Sequence, residues 1–230
     1  MASSVSSPVT VSCQGILFDM DGILISSLGS VERSWTRWSE MRGVDPAHAI
    51  SVIHGRRAIE SLTALRPDLN GDEELQILEQ FEIDDTADIA VLPGVKELLA
   101  SLPSQPRPRW TVVTSATDRL ARVRLAASGL PVPRHFINGD SVKEGKPHPA
   151  PFLAGAALLG FRPEDCVVFE DSASGVQAGR AAHCTVIATT FSHAAEDLAL
   201  ADYMTRDLRD VRAESVDGAG ITLHIKPLAI

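Results

Sequence analysis

Apolar residues in this chain gather in short unbroken runs. Gly15-Ile16-Leu17-Phe18, entered from Gln14, leads straight into Asp19. Three later runs have the same character: Trp110-Thr111-Val112-Val113, Cys166-Val167-Val168-Phe169 and Cys184-Thr185-Val186-Ile187-Ala188. Such runs are expected of strands covered on both faces, as in a parallel sheet. Between them, apolar positions recur at helical spacing over 95–102, 119–128, 149–159 and 174–182. Strands that alternate with helices predict an α/β fold, a doubly wound parallel sheet with helices on both faces. A shorter run, His135-Phe136-Ile137, predicts one more strand.

The stretch 27–90 breaks this rhythm. It holds no long strand, and its helical patterns fall at 31–41, 59–65 and 73–82. It reads as a small α-helical insertion after the first strand, and Pro93-Gly94 marks the return to the core. The expected division is therefore a core of 1–26 and 91–230 and an inserted unit of 27–90. Ser26 and Ser27 fall at the junction, and Trp35 and Trp38 share one helical face of the insertion as apolar centre. The tail 213–225 alternates around Asp217-Gly218-Ala219-Gly220, which predicts a terminal hairpin away from the chemistry.

Composition narrows the possibilities. The 230 residues are 44% hydrophobic with mean hydropathy near zero, which suits a soluble globular chain. The net charge of -9 repels DNA and anionic lipid, so neither nucleic acid nor a membrane is the expected partner. The same charge repels a phosphorylated substrate, so any phosphate site needs local positive charge. Cys13, Cys166 and Cys184 are isolated, with no metal-binding spacing, and read as reduced buried thiols. With a Ser-rich N-terminus that has no signal-peptide pattern, and no apolar stretch of roughly 20 residues, the expected location is cytoplasmic. A monomer is the default expectation.

In doubly wound sheets ligands bind beyond the carboxyl ends of the strands. Those ends carry Asp19-Met20-Asp21-Gly22, Thr114-Ser115, Gly145-Lys146-Pro147 after the short run, and Glu170-Asp171. One acid at a strand end is an ordinary helix cap. Acids, hydroxyls, a lysine and more acids at four successive ends make a site. Asp19, Glu170 and Asp171 bring like charges together, which a hard cation such as Mg²⁺ relieves through oxygen ligands. Lys146 supplies a mobile positive charge, and Thr114 with the Ser115 amide offers donors to phosphoryl oxygens. A carboxylate nucleophile at Asp19 forms an aspartyl-phosphate, with Asp21 placed to move protons. Gly22 permits a sharp turn beside the site.

These four segments resemble the motifs of the haloacid-dehalogenase-like hydrolase superfamily, over about residues 16–190. His54-Gly55-Arg56-Arg57, Gly145-Lys146-Pro147-His148-Pro149 and Phe169-Glu170-Asp171-Ser172-Ala173-Ser174-Gly175 make it most similar to glycerol-phosphate and 2-deoxyglucose-6-phosphate phosphatases. The resemblance implies a Rossmann-like core with a helical cap and a Mg²⁺-dependent phosphatase of a small sugar or polyol phosphate. It implies Asp19 as nucleophile and metal ligand, Asp21 as acid/base and backbone ligand, Asp171 and Glu170 at the metal, and Thr114 and Lys146 as catalytic. Gly22, Ser115 and Ala116 would face the phosphate. His54, Gly55, Arg56 and Arg57 would reach the substrate from the cap. Ile23 departs from the usual threonine, which removes a hydroxyl beside Asp19.

Other chemistries of the superfamily fit less well. A dehalogenase typically lacks the second aspartate, and Asp21 is present. A phosphonate-cleaving enzyme needs a cap lysine, and the chain's lysines are Lys96, Lys143, Lys146 and Lys226. Sugar-phosphate mutases carry a histidine where this chain has Val31, so a β-phosphoglucomutase-like mutase stands as the alternative. A non-catalytic binding domain would be expected to have lost Asp19, Asp21 or Lys146. Lys143 is expected to be exposed.

Overall fold

The computed structural model describes residues 7–53, 55–102, 108–216 and 220–228. The chain begins with β1 (Val9–Cys13) and β2 (Gly15–Phe18), then crosses out of the core through β3 (Ile25–Ser26). Four helices follow: α1 (Leu28–Arg42), α2 (Pro46–Ile53), α3 (Ala58–Leu65) and α4 (Gly71–Asp84). The chain returns through β4 (Ala90–Val91). It continues with α5 (Val95–Ser101), β5 (Trp110–Val112), α6 (Asp118–Ser128), α7 (Ala150–Leu159), β6 (Cys166–Glu170), α8 (Ala173–Ala181), β7 (Thr185–Thr189), β8 (Tyr203–Thr205), β9 (Val211–Val216) and β10 (Gly220–Ile225).

The central sheet is parallel, in the order β5-β2-β6-β7-β8. The fold is the expected α/β type. Successive side chains of a strand point to opposite faces, and the two apolar layers divide accordingly. Ile16, Phe18, Val112, Val167 and Phe169 pack with Leu98 of α5 and Ala121 and Leu125 of α6. Leu17, Val113, Val168 and Val186 pack with Phe152 and Ala156 of α7 and Val176 of α8. Burial on both faces explains why these strands read as continuous apolar runs. Phe18 stacks on Phe169 at 5.1 Å between ring centres. Register then sets the site: Phe18 pairs with both Val112 and Phe169, so three strands end level. Asp19, Val113 and Glu170 are the next residues in each, beside the point where strand order reverses.

The inserted helices build a separate apolar centre from Trp35, Trp38, Ala49, Ile53, Leu62 and Leu78. Trp35 and Trp38 meet edge to face at 5.7 Å, and the Trp38 indole N–H donates to Glu74 at 2.8 Å. α2 adds a helix that the hydrophobic pattern alone did not mark.

One expectation is modified, and two strands join that the sequence did not mark. The run 135–137 forms only one parallel bridge, Val113 to Ile137. Asn138 follows at once, and its side-chain oxygen accepts from the Asp140 amide at 3.0 Å, turning the backbone out of the sheet. β8 instead extends the opposite edge. β9 and β10 pair antiparallel as expected of the tail, and β1 joins them with Val9 opposite Ile225. Residues 217–219 of that hairpin lie outside the described residues. Among the described residues, no helix is long and apolar enough to cross a membrane.

Candidate active site

The level strand ends bring three carboxylates and one ammonium group together. Lys146, fully buried, places Nζ 3.0 Å from Asp19 Oδ2 and 2.6 Å from Glu170 Oε1. Its Nζ also lies 5.2 Å from the centre of the Phe152 ring, a cation–π contact. The Met20 amide donates to the other Asp19 oxygen at 2.7 Å. Glu170 Oε2 accepts from the amides of Asp171 and Ser172 and from the Ser172 hydroxyl, at 3.0–3.1 Å. Asp171 Oδ2 accepts from the Ser192 hydroxyl at 2.5 Å. Ligand oxygens of Asp19, Glu170 and Asp171 lie within 4.8 Å of one another.

Electrostatics separates the three acids. Burial opposes ionisation of Glu170, but Lys146 and the surrounding donors hold its carboxyl below the usual range. Asp19 is pushed well up by burial, which Lys146 offsets only in part against repulsion from Glu170 and Asp171. Asp171 is pushed up to about 8 by burial and by Glu170. Burial disfavours the Lys146 ammonium, yet Asp19 and Glu170 outweigh it and keep the lysine above its ordinary value. One lysine thus neutralises one of three buried acids. The remaining pair, oxygen-only and mutually repelling, fits a hard divalent cation. Glu170 already spends both oxygens on Lys146 and on backbone and hydroxyl donors, so within the cluster it chiefly fixes the lysine.

Asp21 is turned away from this cluster. Its Oδ1 accepts from the Ser27 hydroxyl at 2.5 Å and its Oδ2 from Arg124 at 3.0 Å. Gly22 has φ 81°, and a Cβ there would overlap the Asp171 carboxylate; only glycine lets the two strand-end loops touch. Thr114 is buried, and its hydroxyl accepts from the Ala116 amide at 3.1 Å. This tight turn starts α6, whose Thr117 hydroxyl accepts from the Leu120 amide at 3.2 Å as an N-cap.

A pocket lies between these loops and the inserted helices. Asp19, Asp21, Gly22, Thr114, Ser115, Ala116 and Asp171 line its core side; Val31, Trp35, Gly55, Arg56 and Glu82 line the other. Gly55 (φ 72°) packs on Ser172, and its carbonyl accepts from the Ser115 hydroxyl at 2.9 Å. The two arginines part company here. Arg56 is exposed and lines the pocket. Arg57 turns to the loop before Lys146, donating to the Lys143 carbonyl at 2.7 Å. Lys143 itself is exposed, as expected. His54 lies outside the described residues.

The sequence reading missed Arg124, Glu82 and Ser192. Arg124 did carry a signal: it falls on the buried stripe of α6 with Leu120, Ala121 and Leu125, where a charge needs a partner.

Residues 13–183 match the model of the family described as haloacid dehalogenase-like hydrolase. The chain belongs to that hydrolase family. Within the family it is 43% identical to hexitol phosphatase A of Escherichia coli K12, over 76% of this chain and 82% of the relative. It is 33% identical to glycerol-1-phosphate phosphohydrolase 2 of Saccharomyces cerevisiae, over 80% and 78% respectively. A solved hydrolase from Pseudomonas syringae superposes with TM-score 0.76 at 23% identity, covering 85% of this chain and 94% of that one, which shows the shared fold of this haloacid dehalogenase-like chain.

Proposed function

We propose that this chain is a Mg²⁺-dependent phosphatase that hydrolyses a small sugar or polyol phosphate through an aspartyl-phosphate on Asp19. The chain is a phosphoric monoester hydrolase. The observation that carries the finer assignment is the buried Asp19 carboxylate at the pocket wall, held by Lys146 at 3.0 Å and set against Asp171. Asp19 and Asp171, with Glu170 beside them and the Asp21 carbonyl, would hold Mg²⁺. Bound there, the ion would offset phosphate charge and polarise the phosphorus–oxygen bonds.

The chain's own groups account for the remainder. An Asp19 oxygen attacks phosphorus in line with the departing ester oxygen, and the bond to that oxygen breaks. Asp21 gives its proton to the leaving oxygen and then takes one from the water that attacks the aspartyl-phosphate. The Thr114 hydroxyl and the Ser115 amide, at the start of α6, donate to the phosphoryl oxygens. Lys146 steers Asp19 and adds positive charge where the phosphate arrives. Residues 27–90 act as a cap that shuts water out, over a catalytic core of 1–26 and 91–230. Arg56 and Trp35 face the organic part of the substrate. The named activities of the bacterial and yeast relatives favour a hexitol or glycerol phosphate. Val31 lines the pocket with an alkyl group that cannot relay a proton, which favours hydrolysis over a mutase cycle.

The test is phosphate release from hexitol 6-phosphate and glycerol phosphate with and without Mg²⁺, beside Asp19→Asn. Mg²⁺-dependent turnover lost in the variant is expected. A folded Asp19→Asn enzyme that still turns over rejects the nucleophile.

A further inference from the structure

Arg124 is a buried charge that the mechanism above leaves without a role. It sits on α6 with its side chain 4% exposed, and it reaches two acids of different origin. Nη1 donates to Asp21 Oδ2 at 3.0 Å. Nη2 lies 3.2 Å from Glu82 Oε1, and that glutamate is 6% exposed on α4 of the helical insert. Nε and Nη2 make no hydrogen bond. A guanidinium taken out of water is costly, and an apolar residue of like volume packs more cheaply in such a place. Its planar fork, however, can engage two carboxylates at once with fixed geometry.

The other Asp21 oxygen is equally constrained. It accepts from Ser27, the residue just before α1. Both oxygens are therefore held by groups that belong to the insert or are tied to it. Glu82 is pushed up to about 7 by burial, against the pull of Arg124. Neighbouring contacts across the same seam bring α4 and α6 together: Glu79 accepts from Thr117 and pairs with Arg119 at 3.2 Å.

We infer that Arg124 is a positioning residue that fixes the Asp21 carboxylate and, through Glu82, makes that placement depend on the helical insert lying on the core. The inference rests on the proposed role of Asp21 as proton donor to the leaving oxygen. A proton donor displaced by an ångström loses much of its effect. Tying it to the insert means the acid is held in place where the insert covers the pocket.

Leaving-group dependence tests this. kcat/KM is measured over para-substituted phenyl phosphates whose phenols differ in acidity but little in size. That parameter reports steps up to departure of the phenol and excludes later hydrolysis of the aspartyl-phosphate. Nitrophenolate leaves without protonation, whereas phenol needs the acid. Arg124→Met is expected to lose about tenfold or more on phenyl phosphate beyond its loss on p-nitrophenyl phosphate. Asp21→Asn steepens the series in the same direction, Arg124→Lys falls between Arg124→Met and the parent, and Glu82→Gln shows a smaller steepening. If orphaned acids unfold Arg124→Met, the Arg124→Met/Glu82→Met double variant removes one of them, and the steepening must persist there. A parallel loss across the series, or none, overturns the positioning role while Asp21→Asn still steepens. If Asp21→Asn leaves the slope unchanged, the proton-donor assignment fails and this inference falls with it.

Discussion

Replacing Lys146 with methionine keeps most of the side-chain volume and deletes the one cation among three buried acids. The ammonium stands 3.0 Å from Asp19 and 2.6 Å from Glu170, with no exposed surface on the lysine. At an effective dielectric near 20, such pairs are worth about 5.5 and about 6.4 kcal/mol. Dehydration of the lysine cancels much of this, and breaking a buried pair leaves a net cost of about 3–5 kcal/mol. The pH signature follows from the sign of the shift. Glu170 is held below its ordinary range chiefly by Lys146 acting against burial. Without the lysine, burial raises it, so the folded variant takes up protons more readily than the unfolded chain. The deficit is then full at about pH 8 and shrinks towards about pH 5, where the orphaned acids are neutral. Urea denaturation followed by far-ultraviolet circular dichroism, in chelator at both pH values, measures it; turnover should vanish in parallel. A variant within about 1 kcal/mol of the parent at both pH values refutes the reasoning.

Three further outcomes are expected. Asp171 is raised to about 8, above its unfolded value, so the metal-free protein binds more protons folded than unfolded. Its melting temperature should fall between about pH 5 and about pH 8, and Mg²⁺ should raise it more at the higher pH; calorimetry that finds the reverse order removes Asp171 from the ion site. Gly22→Ala forces a methyl group onto the Asp171 carboxylate at a left-handed turn, at a cost of about 1–3 kcal/mol, and should lower Mg²⁺ affinity measured by activity titration. Arg56→Ala should raise KM for a hexitol phosphate far more than for p-nitrophenyl phosphate. Arg57→Ala, which cuts the bond to the Lys143 carbonyl, should affect both alike; steady-state kinetics that exchange these patterns would reverse the two roles.

The core strands were legible because burial on both faces writes itself as unbroken apolar sequence, and their polar termini mark the site. Asp19, Thr114, Lys146, Glu170 and Asp171 could be picked out that way, since each follows such a run or the loop beyond it. β1 was obscured for a different reason. Its five residues alternate too briefly, and its partner lies more than two hundred residues away, with Val9 opposite Ile225. The run at 135–137 promised a strand on composition, but the Asn138 side chain offered the backbone another bond. Arg56 and Arg57 are adjacent and chemically equal, so only the fold separates the one at the pocket from the one at the seam. Arg124 shows the limit most clearly, because its two partners are distant in sequence and arrive from different layers.

The short ladder of β3 and β4 sets Ile25 opposite Val91 and Ser26 opposite Ala90. Outgoing and returning backbone thus pass through a single doorway, neither passage threading the sheet. Rewriting everything beyond that doorway, or replacing it with a segment of other length, leaves each core strand with its partners. Sheet pairing and the length of the detour are therefore independent of each other, and it is the Arg124 bridge to Asp21 and Glu82, not the doorway, that couples the two parts.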